Sequence, residues 1–377
     1  MTVPSIEGEG VCLRGYRPGD VDAVVAGYSD PVTQRFMPAL PVPFTVRQGE
    51  WWIKEGAPAM FAEGGAAYAI ADPETDEVLG GISLDNTLPI RAQAEIGYWV
   101  GPWARGRGIA TRAVRALSAH ALRTGTARLE LITHWENAPS QRVAMAAGFK
   151  RESARRSLLV NRAGGRDDAL AFVRVADDSG EPIERLLPDL PGGELTDGVV
   201  TLRPLGPDDV AFANELHAVP DIIATSVPAE PRHPEDIRRR CDRAQAHWLN
   251  GDRADLVVLD AATGTPAGDI GLFYSEPPLA QAMIGYSMLP AWRGRGYVTR
   301  AVELLSLWTF AETSIVRLIA GTLPDNLGSQ RVLAKAGYKR EGYMRSRLPG
   351  ANGQRVDDIQ FALLAEDLLT KAPHQDS

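Results

Sequence analysis

The chain has 377 residues, of which 44% are apolar and 23% are charged, and its net charge is −8. This composition is that of a globular protein and excludes collagen-like, disordered and disulfide-scaffold classes. The acidic balance argues against a general nucleic-acid binder, which normally carries a basic excess. The two cysteines, Cys12 and Cys241, are too few for a disulfide framework, and the six histidines show no ligand spacing, so we expect no metal site.

Two features of the sequence bear on its location and size. The chain contains no apolar run near the roughly 20 residues that cross a membrane. The opening, MTVPSIEGEG, has neither the basic stretch nor the apolar stretch of a signal peptide. We therefore expect a cytoplasmic protein that does not contact a membrane. At roughly 150 residues per domain, we also expect two or three domains.

The first half of the chain mixes short strands with helices. Apolar residues recur at helical spacing over residues 109–123, and a glycine-rich turn precedes them. In chain order we predict a strand at 11–13, a helix at 19–28 capped by Asp20, a helical stretch around 51–54, strands at 67–71, 78–84 and 94–100, a helix at 109–123, a strand at 129–133, a helix at 140–147 and a strand at 169–175. This order indicates an α+β fold.

The second half of the chain repeats the first. Residues 96–114, IGYWVGPWARGRGIATRAV, match residues 284–302, IGYSMLPAWRGRGYVTRAV, and a second pair of blocks begins at Asn137 and Asn326. A period near 190 residues is too long for a solenoid and indicates two copies of a whole domain. We predict domains at 1–178 and 198–377, joined by a Pro-, Gly- and acid-rich linker at 179–197. The alternative is that this segment packs in an ordered way between the copies.

Each copy carries a glycine-rich turn between a strand and a helix. The turn reads Arg-Gly-Arg-Gly at residues 105–108 and again at residues 293–296. Glycines let the backbone approach an anion, and the helix N-terminus and the arginines favour a phosphate there. The turn is neither a Walker loop nor a dinucleotide fingerprint. The competing interpretation is a tight turn with solvated arginines, which the second occurrence makes less attractive.

At these residues the chain resembles the GNAT acetyltransferase superfamily, and within it the RimJ/RimL-type N-acetyltransferases. The superfamily's pattern, Arg/Gln-x-x-Gly-x-Gly/Ala, is complete in Arg105–Ala110, whereas in the second copy Val298 replaces the last small residue. The resemblance covers about 1–178 and 197–370. It implies two tandem GNAT domains of α/β/α layered α+β fold, each with a mixed, mostly antiparallel sheet whose central strands splay apart, flanked by helices.

The resemblance further implies that acetyl-coenzyme A is the acyl donor, without a metal. In the first copy the implied coenzyme-binding residues are Ile96, Tyr98, Val100, Arg105, Gly106, Arg107, Gly108, Ala110, Thr111 and Asn137. In the second copy they are Met288, Arg293, Gly294, Arg295, Gly296, Val298, Thr299 and Asn326. The pantetheine arm is expected between the strand at 96–100 and its partner at 129–133.

Three residues are candidates for catalysis. Ser140 and Ser329 match a region where the family places a donor to the leaving thiolate, although the same segments could be simple helix caps. Glu95 is the candidate base, against the alternative of a solvent-facing strand carboxylate. His134 is a second candidate base or a structural residue. The second copy has Met283 at the position of Glu95, so we expect it to be the weaker member.

The acceptor is less well specified by the sequence. Trp51, Asp85 and His134 are the candidate acceptor-site residues, although the adjacent tryptophans at 51 and 52 could equally be core. We expect a primary amine, either a peptide N-terminus or a small molecule. In the second copy, which lacks the candidate base, an α-amine would be favoured over lysine, because its pKa of about 7.7–8.0 leaves a fraction neutral without help. The alternatives are one catalytic and one structural domain, a non-catalytic acyl-coenzyme A sensor or scaffold, or a longer acyl donor. We expect a monomer in which the two domains form an intramolecular pseudo-dimer.

Overall fold

The computed structural model describes residues 3–369, and the chain divides into two compact units between Glu184 and Arg185. The division falls inside the segment that the sequence assigns to a linker. The predicted domain limits, at 178 and 198, lie on either side of this boundary and remain predictions.

The first unit contains eight strands and six helices among its described residues. They are β1 (Ile6–Gly8), β2 (Val11–Arg14), α1 (Val21–Ser29), α2 (Pro31–Phe36), α3 (Val46–Trp51), α4 (Ala57–Ala62), β3 (Ala66–Ala71), β4 (Val78–Leu88), β5 (Gln93–Val100), α5 (Ile109–Arg123), β6 (Arg128–His134), α6 (Ala138–Ala146), β7 (Lys150–Val160) and β8 (Arg166–Val175). One sheet holds all the strands, in the order β1-β2-β3-β4-β5-β6-β8-β7. Neighbouring strands are antiparallel except β5 and β6, which are parallel. The predicted mixed, mostly antiparallel sheet is therefore confirmed.

The second unit repeats this plan. Its elements are β9 (Leu195–Thr196), β10 (Val200–Pro204), α7 (Val210–His217), α8 (Pro220–Thr225), α9 (Pro234–Asn250), β11 (Arg253–Asp260), β12 (Pro266–Glu276), β13 (Gln281–Met288), α10 (Tyr297–Glu312), β14 (Arg317–Thr322), α11 (Leu327–Lys335), β15 (Lys339–Pro349), β16 (Arg355–Leu364) and α12 (Ala365–Leu369). The sheet order from one edge is β9-β10-β11-β12-β13-β14-β16-β15, with β13 and β14 as the parallel pair.

Alternating residues of one strand show the layered arrangement. In β11, Leu256 and Val258 belong to the apolar cluster that contains α10, whereas Val257 packs in the cluster with α7 and α9. Successive side chains of a strand point to opposite faces of the sheet, so helices cover both faces. The α/β/α layering expected from the resemblance is present in this unit.

Helix α5 carries the glycine-rich turn at its start and is fixed by its apolar stripe. The helix occupies the predicted range, and Ile109, Ala113, Val114, Leu117 and Ala121 are buried along one face. Burying this stripe against the sheet holds the helix N-terminus in a fixed place beside β5.

Several elements differ from the prediction. The helical stretch around residues 51–54 is the end of α3 followed by a π-helical turn, Trp52–Gly56. Asp20 stands at the start of α1, but its carboxylate pairs with buried Arg14 at 2.8 Å and makes no cap bond to the helix. Elements β1, α2, α4 and β7 were not predicted. Strand β7 is rich in arginine and mostly exposed, so the alternation of burial that marks a strand is weak there.

The segment predicted as a linker is ordered in the structure. Near its start, the backbone N–H of Ile183 donates to Met145 of the first unit at 3.0 Å. Further on, Leu187 and Leu190 are buried in the core of the second unit, and Leu195–Thr196 forms the edge strand β9. A backbone hydrogen bond therefore joins the first part of this segment to the first unit, and buried leucines join the later part to the second unit.

Candidate active site

Two neighbouring strands separate in the middle of each sheet. Parallel pairing of β5 with β6 covers only Gln93–Glu95 and Arg128–Glu130, although both strands continue for several residues. In the second unit, β13 and β14 pair only over Gln281–Met283 and Arg317–Ile319. The predicted splay of the central strands is confirmed, and it opens a gap beyond Glu95.

The gap of the first unit contains a cavity of about 800 Å³, which we call the donor cavity. Helix α2, both splayed strands, the glycine-rich turn with the start of α5, and α6 contribute to its wall. Its lining includes these residues predicted from the sequence: Glu95, Ile96, Tyr98, Val100, Arg105, Gly106, Gly108, Ala110, Thr111, His134, Asn137 and Ser140. Arg107 does not line the cavity, so its predicted contact with the coenzyme remains a prediction.

The glycine-rich turn adopts a conformation that favours glycine. Gly106 and Gly108 have φ angles of 74° and 73°, in the left-handed region. Gly108 immediately precedes α5. The first N–H groups of a helix have no acceptor within the helix and carry the positive end of its dipole. This end of the donor cavity is therefore suited to a phosphate group.

Arg105 is held by protein groups. Its Nε donates to the carbonyl of Val100 at 3.1 Å, and its guanidinium pairs with Asp30 and donates to Thr33 Oγ1 at 3.1 Å. Asp30 also caps α2 by accepting from the N–H of Thr33 at 2.9 Å. Arg105 thus ties the glycine-rich turn to α2, a contact that the anion-binding prediction did not foresee.

The corresponding arginines of the second unit show the same arrangement. Arg293 donates to the carbonyl of Met288 at 3.0 Å and pairs with Asp221 of α8 at 2.9 Å. Arg295 lies over the ring of Trp292, 5.0 Å from its centroid, and does not line the cavity of its unit. The repeat indicates that the first arginine of each turn positions the loop, and that any charge it offers a phosphate is already shared with a carboxylate.

Ser140 is free to use its hydroxyl, because Asn137 caps the helix. The side chain of Asn137 accepts from the N–H of Ser140 at 3.2 Å. The hydroxyl of Tyr98 donates to Ser140 Oγ at 3.0 Å. Burial raises the pKa of Tyr98 to about 12, so its hydroxyl keeps its proton at neutral pH. Tyr98 and Ser140 together present a proton-donating pair to the donor cavity.

Three acidic residues, one on each of β4, β5 and β6, lie in one row across the sheet of the first unit. Glu95 is directly opposite Asp85 on one side and Glu130 on the other. Glu130 pairs with Arg128 at 2.7 Å and with Arg155 at 2.6 Å. Among residues 3–369, neither Asp85 nor Glu95 has an ion-pair partner, and Glu95 accepts only from the amide of Asn86, at 2.9 Å.

Burial raises the pKa of Glu95, and the neighbouring carboxylates of Asp85 and Glu130 add to the effect, although the Asn86 hydrogen bond opposes it. Burial also raises the pKa of Asp85. A half-buried carboxylate with a raised pKa beside a cavity is the environment of a general base.

His134 and the two remaining acceptor-site candidates lie in different places. His134 lines the donor cavity with its ring 5.5 Å from that of Phe36, and burial lowers its pKa, which favours the neutral imidazole. Trp51 and Asp85 line a second cavity of about 510 Å³, which we call the acceptor-side cavity. Gly97, Tyr98 and Trp99 of β5, together with Met37, line both cavities. The strand therefore separates the two spaces.

The second unit contains a cavity of about 480 Å³ at the corresponding gap. Its lining includes the predicted residues Met288, Arg293, Gly294, Gly296, Val298, Thr299, Asn326 and Ser329. The hydroxyl of Tyr286 lies 2.8 Å from Ser329 Oγ, and Asn326 caps α11. The row of acids is missing, because Phe273, Met283 and Ile319 occupy the places of Asp85, Glu95 and Glu130.

Sequence reasoning missed helix α2, which supplies Val32, Thr33 and Phe36 to the donor cavity. A local signal for it exists, because Asp30 followed by Pro31 is the typical start of a helix.

Within residues 3–369, no helix is long and apolar enough to span a membrane, and no group of three His, Cys, Asp or Glu side chains is placed to hold a metal ion.

Known proteins resemble both halves of the chain. The acetyltransferase (GNAT) domain family matches twice, over residues 11–150 and 200–339. The Probable N-acetyltransferase YjcK of Bacillus subtilis is 34% identical over 134 residues, which are 35% of this chain and 74% of YjcK. The ribosomal-protein-serine acetyltransferase of Escherichia coli is 34% identical over 104 residues, which are 27% of this chain and 57% of that protein.

Solved structures of similar proteins match about half of the chain. RimJ of Mycobacterium smegmatis, in complex with CoA-disulfide, is 24% identical and covers 47% of this chain and 88% of its own, with a TM-score of 0.42. The microcin C7 self-immunity acetyltransferase MccE, in complex with acetyl-CoA and AMP, is 19% identical and covers 45% and 93%, with a TM-score of 0.41. The double match of the family model is decisive: the chain belongs to the GNAT acetyltransferase family and is an acyltransferase with two such domains in tandem.

Proposed function

We propose that the first unit transfers an acetyl group from acetyl-coenzyme A to a primary amine. The observation that carries the proposal is a single cavity that joins an anion-binding helix N-terminus, a gap between splayed strands, a proton-donating pair and an uncompensated carboxylate. Each of these parts answers one requirement of acyl transfer, namely binding, orientation, protonation of the leaving group and deprotonation of the nucleophile.

The donor end of the cavity holds the coenzyme. The backbone of Gly106 and Gly108 and the start of α5 take the pyrophosphate, and the pantetheine arm lies between β5 and β6 beside Asn137. The volume of about 800 Å³ is large enough for an extended ligand of this kind. Acetyl-coenzyme A supplies the acetyl group as an activated thioester.

The reacting end is at Glu95, Tyr98 and Ser140. Glu95 accepts a proton from the amine as the nitrogen forms a bond to the acetyl carbon. The carbon–sulfur bond breaks, and the Tyr98–Ser140 pair returns a proton to the leaving thiolate. The products are the N-acetylated amine and the free thiol of coenzyme A. Glu95 then gives its proton to solvent and the Tyr98–Ser140 pair takes one from solvent, so the site regains its starting protonation state and one proton has passed overall from the amine to the thiolate.

The acceptor is a peptide N-terminus or a small-molecule amine. The ribosomal-protein-serine acetyltransferase of Escherichia coli is among the relatives, which supports a protein N-terminus as one acceptor class. An α-amine suits this site, because its pKa of about 7.7–8.0 leaves a fraction neutral, whereas lysine at about 10.4 is almost fully charged.

A second function applies to the second unit. Its cavity retains the glycine-rich turn and the Tyr286–Ser329 pair, but Phe273 and Met283 replace the acids at the reacting end. We propose that this unit binds the coenzyme without transferring the acyl group, which is the sensor or scaffold alternative confined to one half of the chain.

The test is an assay of the full-length chain with acetyl-coenzyme A and a panel of α-amines and amino-terminal peptides at pH 8. The expected result is release of free coenzyme A thiol together with an acceptor 42 Da heavier by mass spectrometry, the mass being about that of an acetyl group replacing a proton. Coenzyme binding without any acetylated acceptor over the whole panel would contradict catalysis and favour a sensor for both units.

A further inference from the structure

The acceptor-side cavity of the first unit has seven aromatic side chains in its wall. Tyr98 and Trp99 are shared with the donor cavity, and the other aromatic residues are Tyr16, Tyr28, Phe44, Trp51 and Trp52. The ring of Tyr28 lies 5.0 Å from those of both Phe44 and Trp99, in edge or tilted contact. These rings enclose a space of about 510 Å³, enough for one aromatic group of a ligand.

The second unit shows that the fold does not require these rings. At the places of Tyr28, Trp52 and Trp99 it has His217, Arg240 and Ser287. The strand registers establish the last of these correspondences, since Gly81 faces Trp99 in the first unit and Asp269 faces Ser287 in the second. The helical pair also matches, because Trp52 lies beside Tyr28 in the first unit as Arg240 lies beside His217 in the second.

A network of ion pairs occupies that space in the second unit. Arg240 donates to Asp255 at 2.7 Å and to Asp269 at 2.8 Å, and it lies 2.9 Å from the ring of His217. Asp255, Asp269 and His217 are buried. One copy therefore fills the space with its own charged groups, whereas the other surrounds it with rings and leaves it open.

Two neighbouring positions next to the cavity, one on a helix and one on a strand, carry a small and a large side chain in opposite order in the two units. A Cβ on Gly27 would lie 2.0 Å from the ring of Trp99, so Trp99 requires glycine at that position. The second unit has Leu216 and Ser287 at the two places. The bulky side chain is thus on the helix, as Leu216, in the second unit and on the strand, as Trp99, in the first unit, where its ring forms part of the cavity wall.

The polar end of the acceptor-side cavity is next to the reacting groups. Asp85 lines the cavity and accepts from Ser83 Oγ at 2.6 Å. Gly97 lies between this carboxyl group and the donor cavity, and a Cβ there would be 2.8 Å from Asp85 Oδ2. An amine held by Asp85 would therefore be next to the donor cavity at Gly97, a residue without a side chain that lines both cavities, and its substituent would lie among the rings.

We propose that the acceptor carries an aromatic or bulky apolar group close to its amine, and that the acceptor-side cavity binds this group. The chemistry is that of an arylethylamine, which occurs both in small molecules and in peptides that begin with phenylalanine, tyrosine or tryptophan. This inference rests on the acetyl transfer proposed above, and it adds the class of acceptor.

The experiment compares two matched pairs of acceptors with the full-length chain and acetyl-coenzyme A. One pair is phenylalaninamide and alaninamide, and the other is two peptides that differ only in a first residue of phenylalanine or alanine. The kcat/KM for the aromatic member should be at least about thirtyfold higher in one pair or both, since a pocket distinguishes apolar groups by roughly 10–200-fold. The pair that shows the preference identifies a small molecule or a peptide as the source.

The variant Trp51→Ala tests the cavity itself. Trp51 is 54% exposed at the rim, so its removal should leave the fold intact. The variant should reduce the preference for the aromatic member about tenfold, whereas Trp103→Ala, outside both cavities, should leave the preference unchanged. Turnover of both members at rates within threefold of each other would overturn the inference and leave acetyl transfer standing. No turnover of any acceptor would overturn acetyl transfer, and the inference with it.

Discussion

Glu95 is a carboxylate in a place that disfavours its charge. It is half-buried, has no cationic partner in the part of the chain that the structure describes, and faces two other carboxyl groups across the sheet. Burial, followed by the neighbouring acids, raises its pKa. A base must be deprotonated to act, so this residue should impose a lower pH limit on activity.

The first prediction concerns that limit. The kcat/KM for the acceptor should rise with pH in two steps. The step at lower pH is the deprotonation of Glu95, and the step at higher pH is the deprotonation of the acceptor's ammonium group. In Glu95→Gln the lower limb should disappear, leaving only the limb of the amine. A pH–rate profile of both proteins between pH 5 and pH 9 measures this. The same lower limb in the variant would remove Glu95 from the mechanism.

The second prediction is a change in stability from the same residue. Because the folded state raises the pKa of Glu95, the charged form costs stability at pH values above the folded pKa, and this cost is absent below the unfolded pKa of about 4.3. Glu95→Gln should therefore have an equal or higher free energy of unfolding than the wild type at pH 8, with the advantage shrinking as the pH falls. Urea unfolding at several pH values measures it, and a less stable variant at pH 8 would contradict the account.

The third prediction concerns Tyr98. Its hydroxyl donates to Ser140 at 3.0 Å, and its pKa of about 12 keeps it protonated. Tyr98→Phe should lower kcat about tenfold or more while changing the KM for acetyl-coenzyme A little, because the pair acts on the leaving thiolate. Tyr286→Phe makes the same change in the second unit and should leave kcat unaffected. Equal losses in the two variants would indicate a structural role.

Among the elements, the start of α5 has the most direct link between backbone geometry and binding. Gly108 has a φ angle of 73°, and only the flexible end of Arg112 lies near the position of a Cβ. Alanine there is strained by about 1–2 kcal/mol without any steric clash. The position is therefore suited to a test of backbone conformation alone.

The fourth prediction is that Gly108→Ala weakens acetyl-coenzyme A binding by the first unit at least fivefold, because relaxing the strain moves the N–H groups away from the pyrophosphate. Gly296→Ala, whose φ angle in the wild type is 81°, is the matched change in the second unit and should leave turnover unchanged. Calorimetric titration and turnover assays of both variants give the comparison. Unchanged affinity at the first-unit site of Gly108→Ala would mean that this turn does not bind the coenzyme.

A helix or strand could be predicted from the sequence where its own residues show a clear apolar pattern. Helix α5 was predicted at its observed bounds because its apolar spacing is regular and a glycine precedes it. The short helix α2 was missed because six residues give no periodicity, although Asp30 and Pro31 mark its start. Strand β7 was missed because its residues are charged and exposed, so that pairing with β8 alone defines it.

In the candidate site, too, the parts formed by contiguous motifs could be predicted and the parts formed by distant residues could not. Its donor side could be predicted because the glycine-rich turn and the Asn-x-x-Ser segment are contiguous in sequence. The acceptor side combines α1, the π-helical turn after α3 and β5, through Tyr28, Trp52 and Trp99, and no local pattern connects these residues. The engagement of Arg105 with Asp30, 75 residues away, was equally invisible from sequence.

At the scale of the whole molecule, the two units agree on the donor side and differ on the acceptor side. Both have the glycine-rich turn, the capping Asn and the Tyr–Ser pair. Where the first unit has acids and an aromatic cavity, the second has apolar residues in the acid row and a buried ion-pair network. This pattern is what we expect if coenzyme binding is retained in both units and acyl transfer, as proposed above, in the first alone.

One pair of variants tests directly whether the first unit alone transfers the acyl group. The turnover of acetyl-coenzyme A with an accepted amine should be compared between Glu95→Gln and Met283→Gln, which place the same side chain at matching positions of the two units. The account predicts that Glu95→Gln lowers kcat at least tenfold with unchanged coenzyme affinity, and that Met283→Gln behaves as the wild type. Full activity in Glu95→Gln, or its loss in Met283→Gln, would contradict transfer by the first unit.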